Sequence, residues 1–142
     1  MDNSLSAANG KTVLIVEDDI GVMEFLKIIV QREGFKVEDA YDGQEGVEKA
    51  RSVLPDLILL DLMLPKTGGF EIARELQNED TGNIPVVIMT GRVMDRSTSD
   101  MIKQEANVRE YLEKPIKTEL LAALLHRLLK TRPPARKAGP AR

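Results

Sequence analysis

Cysteine and tryptophan are absent from the 142 residues, and histidine occurs once, at His126. Without cysteine there are no disulfides, no thiolate metal sites and no thiol nucleophile. One histidine excludes a His-rich metal site and argues against a histidine-based triad. Long hydrophobic runs are missing too. The longest, Leu120 to Leu125, is six residues, far short of the roughly 20 that a membrane helix needs. The segment Met1 to Lys11 is polar and lacks the apolar stretch of a secretory signal. These absences fit a cytoplasmic chain. What remains is an ordinary globular balance, 42% hydrophobic and 30% charged, at a length suited to one domain.

The net charge of −3 hides an asymmetry. Arg132, Arg136, Lys137 and Arg142 give residues 131–142 a charge of +4 with no acid. Residues 1–130 then hold 16 basic and 23 acidic groups, a net of −7. An acidic body is a poor partner for nucleic acid, whose phosphates need clustered Lys and Arg. It can instead hold a cation.

The chain reads as a disordered lead (1–10), a body (11–130) and a basic, proline-rich tail or linker stub (131–142). The tail has no large apolar side chain, so its removal should cost little burial. In the body, apolar strand-like runs lie at Val13–Val16, Phe35–Tyr41, Leu57–Leu60 and Val86–Met89, with a weaker one at Val108–Leu112. The first, third and fourth are unbroken Val/Ile/Leu/Met stretches, the pattern of strands covered on both faces. Helical patterns fall between and after them, at about 20–33, 43–53, 69–79, 98–106 and 117–130. Val22, Phe25, Leu26, Ile29 and Val30 share one side of the first, and Gly34 ends it. Five strands alternating with five helices predict a doubly wound α/β fold.

Ligands of such sheets bind at the carboxyl ends of the strands. Glu17, Asp18 and Asp19 follow the first strand, Asp61 the third, Thr90 the fourth, and Lys114-Pro115 the fifth. Crowded carboxylates repel unless a cation sits among them. An all-oxygen donor set suits Mg2+. A lysine and a hydroxyl beside it complete a cradle for a phosphoryl group, and a carboxylate can be the nucleophile that takes it. Taken singly these residues are ordinary; Asp19 in particular reads as a helix N-cap. Their joint occurrence, each at a strand end, carries the reading.

The motifs Val13-Leu14-Ile15-Val16-Glu17-Asp18-Asp19, Leu59-Leu60-Asp61-Leu62-Met63-Leu64-Pro65, Val86-Val87-Ile88-Met89-Thr90 and Tyr111-Leu112-Glu113-Lys114-Pro115 resemble the receiver domain of bacterial two-component response regulators. The likeness is to single-domain, chemotaxis-regulator-like members and runs from about Thr12 to Lys130. It implies the flavodoxin-like strand order 2-1-3-4-5, for which receivers are a named example. It implies that Asp61 is the phosphoacceptor. Glu17, Asp18, Asp61 and the backbone carbonyl of Met63 would hold Mg2+. Thr90 would hydrogen-bond the phosphoryl group, Lys114 would pair with one of its oxygens, and Lys114–Pro115 would be cis. Tyr111 would be the aromatic switch working with Thr90. The donor would be a histidine kinase or phosphotransfer protein. Output would go to a downstream protein through the 98–130 face, with no direct contact to nucleic acid or membrane. The chain would not be an enzyme beyond turning over its own phosphoryl group.

The chain departs from the family pattern at Gly91, at Asn107, where a left-handed backbone is expected, and in a slightly long 91–107 stretch. A phosphohydrolase would want a second acid two residues after Asp61, where Met63 stands. A flavodoxin-like cofactor binder would want a Gly/Ser/Thr-rich loop where Glu17-Asp18-Asp19 stands. His126 reads as a solvated residue beside Glu119, Arg127 and Lys130. Leu120, Leu121, Leu124, Leu125, Leu128 and Leu129 cover about half the last helix, more than a sheet-packing stripe requires. The surplus suggests a partner face or a weak homodimer.

Overall fold

Unbroken apolar strands need cover on both faces, and the alternation of side chains along each strand decides which residue meets which layer. The computed structural model describes residues 5–64, 68–78, 80–91, 100, 104 and 107–135, excluding the side chains of Gly69 and Phe70. In chain order its elements are β1 (Ser6–Ala7), a 3-10 turn (Ala8–Gly10), β2 (Thr12–Val16), α1 (Ile20–Arg32), β3 (Lys36–Ala40), α2 (Gly43–Val53), β4 (Leu57–Asp61), α3 (Gly69–Glu75), β5 (Val86–Thr90), β6 (Val108–Glu113), α4 (Thr118–Leu129) and β7 (Thr131–Arg132). Five parallel strands form one sheet in the order β3-β2-β4-β5-β6. Numbered among themselves, they run 2-1-3-4-5, as expected.

One core layer takes Val13, Ile15, Leu57, Leu59, Val87 and Met89 against Met23, Leu26 and Ile29 of α1 and Leu121, Leu124 and Leu125 of α4. The other takes Leu14, Val16, Ile58, Leu60, Val86 and Ile88 against Val47 and Ala50 of α2 and Ile72, Ala73 and Leu76 of α3. Asp19 caps α1, its Oδ1 accepting from the Val22 N–H (2.9 Å), and Asp42 caps α2 through the Glu45 N–H (2.8 Å). Gly46 lets α2 sit close on β2: a Cβ there would lie 2.9 Å from a methyl of Val16.

Asp39 ties edge strand β3 to both neighbouring helices. Lys27 of α1 reaches its carboxylate at 2.9 Å and Lys49 of α2 at 3.3 Å, and Lys49 also donates to the Asp39 carbonyl. The Lys27 bond, helped by Lys49 and outweighing partial burial, holds this carboxyl below the usual aspartate value. A lowered carboxylate contributes stability above its unfolded value and loses it as pH falls through the folded one. Asp39→Asn should therefore cost about 0.5–1 kcal/mol at neutral pH and almost nothing near pH 2. Urea midpoints at the two pH values check this; a neutral-pH midpoint equal to wild type would show the bridges to be idle.

Several expectations need correction. The lead is not disordered over residues 5–10, nor is the start of the tail free. β1 and β7 pair as a parallel two-stranded sheet, and Ala8 and Thr131 are buried. Removing residues after Lys130 therefore takes away packed structure. The third helix ends at Glu75, because Asn78 turns its Oδ1 onto the N–H groups of Asp80 and Thr81 and so competes with the helix. Asn107 does not have a positive φ; among the described non-glycine residues only Leu54 and Lys130 do, each ending a helix. The leucine surplus of α4 is mostly absorbed. Leu128 and Leu129 pack on the core, and only Leu120, 53% exposed, stays out. His126 is buried, not solvated. Most of the predicted 98–106 helix lies outside the described residues.

Candidate functional site

The rim at the carboxyl ends of β2, β4, β5 and β6 is fixed first by backbone. The Glu17 N–H donates to the Ala40 carbonyl (3.0 Å), the Leu62 N–H to Met89 (2.8 Å) and the Lys114 N–H to Thr90 (2.7 Å). These bonds continue the sheet ladder one step beyond the strands, so their residues inherit its rigidity. The site lies where strand order reverses, between β2 and β4.

Asp61 ends β4 and is 3% exposed. Its Oδ1 accepts from the Met63 N–H (3.0 Å), and its Oδ2 lies 3.4 Å from the Lys114 ammonium. Glu17 is 1% exposed and has both oxygens engaged: Oε1 with Lys114 Nζ at 2.5 Å, Oε2 with the Asp19 N–H at 3.0 Å. Asp18 is exposed at the mouth. Carboxylate oxygens of Glu17, Asp18 and Asp61 lie within 4.8 Å of one another. Thr90 is buried at the end of β5. The Lys114–Pro115 peptide is cis.

Burial pushes the Glu17 carboxyl up, despite its hydrogen bonds to Lys114 and Asp19. For Lys114, burial alone would lower the ammonium, but the Glu17 hydrogen bond and the Asp61 charge outweigh it and raise it. One lysine thus serves as the shared counter-charge of two buried acids. A divalent cation fits the same place: the donors are all oxygen, three carboxylates converge, and one of them is open to solvent.

The structure gathers Glu17, Asp18, Asp61 and Lys114 at one point, with Met63 joined through its N–H. Tyr111 sits apart on β6, half-buried beside the second core layer. It borders a groove of about 400 Å³ with Pro115, Lys117 and Leu120. Asp19 takes a double role that its N-cap position did not announce. Its side chain caps α1 while its N–H holds Glu17.

Fold and rim together define an open α/β protein with an oxygen-only, lysine-countered acidic site at a topological switch point. The chain belongs to the response regulator receiver domain family, whose model matches residues 13–126. It is 35% identical over 122 residues to the response regulator ArlR of Staphylococcus aureus, covering 85% of this chain and 53% of that protein. The chain thus spans about half the length of the curated relatives it matches. Among solved structures, the chemotaxis protein CheY4 of Vibrio cholerae superposes with a TM-score of 0.77 at 27% identity, covering 83% of this chain and 98% of that one. The receiver domain of the sensor histidine kinase PA1611 from Pseudomonas aeruginosa gives 0.75 at 26% identity, covering 84% and 97%. That structure has a magnesium ion coordinated in its active-site cleft. No helix among the described residues is long and apolar enough to cross a membrane.

Proposed function

We propose that this chain accepts a phosphoryl group on Asp61 from the phosphohistidine of a histidine kinase or phosphotransfer protein. The observation that carries the reading is the pairing of Asp61 Oδ2 with Lys114 inside a cluster of three carboxylates. Met63 N–H donates to Oδ1, and Oδ2, the oxygen facing Lys114, attacks phosphorus. The P–N bond breaks and its electron pair stays on the donor imidazole. Glu17, Asp18, Asp61 and the Met63 carbonyl would hold Mg2+, which when bound neutralises carboxylate and phosphoryl charge. Lys114 then pairs with a phosphoryl oxygen, and Thr90 donates its hydroxyl to another. Acetyl phosphate with Mg2+ should label the protein, and a chelator should stop the reaction. Labelling that proceeds undiminished in chelator would overturn the metal's part.

Output by protein contact is part of the same reading. If Thr90 turns to the phosphoryl group, Tyr111 gains room to bury the part of its surface that solvent now reaches. The face it marks, of which residues 107–130 are described, includes exposed Leu120 and the groove beside it. We place residues 11–130 as the signalling body in the cytoplasm, acting by association rather than as an enzyme on other substrates. Weak self-association, through the same face, and absence of direct nucleic-acid contact belong to this proposal.

The phosphoryl lifetime should be long. Met63 is 52% exposed beside Asp61, and its thioether cannot orient an attacking water. The resemblance to receivers implies that Met63 and Arg92 flank the water's path, and Arg92 lies outside the described residues. Met63→Asn should shorten the phosphoryl half-life roughly tenfold by supplying a polar group near the water. The decay of labelled protein measures it, and an unchanged half-life would place water access elsewhere.

A further inference from the structure

Residues 5–10 and 130–132 lie outside the stretch matched by the receiver family, yet they are built into this body. Lys130 stops α4 with a left-handed backbone (φ 54°), and its carbonyl accepts from the Ser6 N–H at 3.0 Å. The chain then runs as β7 beside β1, Thr131 opposite Ser6 and Arg132 opposite Ala7. Arg132 Nη1 donates to the Leu5 carbonyl (3.2 Å). Ala8 packs over Gly34, where a Cβ would meet the Ala8 methyl at 3.3 Å.

Against this pair of strands sits His126. Its Nε2 is 2.9 Å from Glu33 Oε1, its Nδ1 is 2.7 Å from Thr131 Oγ1, and its ring lies on Phe35 with centroids 5.1 Å apart. Glu33 and Thr131 are each 2% exposed and His126 6%. A carboxylate can only accept, so Nε2 carries the hydrogen. Nδ1 then accepts from the Thr131 hydroxyl in the neutral ring and donates to the same oxygen in the charged ring, so this pairing survives either state. Apolar side chains could fill the space without the cost of burying polar groups. What a polar trio adds is register: it specifies that Thr131, rather than a neighbour, meets the end of α4. The trio stands at the amino ends of the strands, where the Lys36 N–H donates to Lys11, at the opposite end of the sheet from Asp61.

We propose that these residues form a terminal clasp latched by His126, an addition to the receiver body that opens as a unit of its own. Closed, it pins the two chain segments together and sets the direction in which the chain leaves α4. The test uses the full chain, with amide hydrogen exchange at Ser6 and tryptic cleavage of Lys130–Thr131 as reporters of opening. Thr131→Val should raise both about tenfold, the factor equal to 1.4 kcal/mol, while the amides of β2 and β4 keep their protection. His126→Phe should raise them further, and Glu33→Gln, which keeps an acceptor for Nε2–H, less. Unchanged Ser6 exchange and cleavage in Thr131→Val would overturn the latch. So would an equal loss of protection across β2 and β4 in Thr131→Val and Glu33→Gln, which would make the trio ordinary core.

Discussion

Asp61→Asn is expected to take up no phosphoryl label from acetyl phosphate and Mg2+ under conditions that label the wild type fully. The carboxamide is close in size and can still accept from the Met63 N–H, so the loop should keep its shape. What it loses is the anionic oxygen facing Lys114 and one carboxylate of the three-acid cluster. Two further outcomes follow. The variant should fold at least as well as the wild type, because it removes one of several carboxylates crowded around a single ammonium. Its affinity for Mg2+ should fall, because a charged ligand is gone. Labelling of the variant to the wild-type extent would refute the assignment of the acceptor.

Lys114→Ala is expected to slow labelling about a hundredfold, the usual scale for removing one charge-stabilising donor from a reaction site. The acceptor remains, so the final extent of labelling should approach that of wild type. Stability should change as well. Lys114 is the counter-charge of Glu17 and Asp61, both almost fully buried, at 2.5 and 3.4 Å. Breaking a fully buried pair costs about 3–5 kcal/mol. Lys114 keeps 23% of its side-chain surface, which reduces the expected loss to about 1–3 kcal/mol in metal-free buffer. Added Mg2+ should return part of that loss, since a cation that binds only the folded state stabilises it. Calorimetry with and without Mg2+, beside the labelling time course, measures both effects. A wild-type labelling rate would mean that the lysine does not meet the phosphoryl group.

The sheet was legible because its strands are unbroken apolar runs. Val13–Val16, Leu57–Leu60 and Val86–Met89 have no polar position to place on a solvent face, so a buried parallel sheet follows. Gly34 and Asp19 marked the ends of α1 by turn and cap chemistry that depends on near neighbours only. The acids, hydroxyl and lysine were legible for a related reason: each stands at or just past the carboxyl end of a strand, and parallel strands deliver those ends to one rim. Pairings set by contacts between distant segments were not legible. The engagement of Glu17 Oε1 depends on Lys114, 97 residues away. The burial of His126 depends on Glu33, 93 residues away, and on a strand of two residues that no periodicity can reveal. Its helical position beside Glu119 and Lys130 pointed to solvent. Glu33 and Thr131 take the ring into the interior instead. Leu128 and Leu129 illustrate the converse. They seemed surplus to a sheet-packing stripe, yet the core reaches round far enough to take them.

The most direct test of Asp61 as the phosphoryl acceptor is chemical trapping. Borohydride reduces an acyl phosphate to an alcohol, so a phosphorylated aspartate becomes homoserine. Protein labelled with acetyl phosphate and Mg2+, reduced and digested, should show homoserine at position 61 and at no other acidic residue. Homoserine at Asp18, Asp19 or Glu17's counterpart alcohol at position 17, with Asp61 intact, would contradict it.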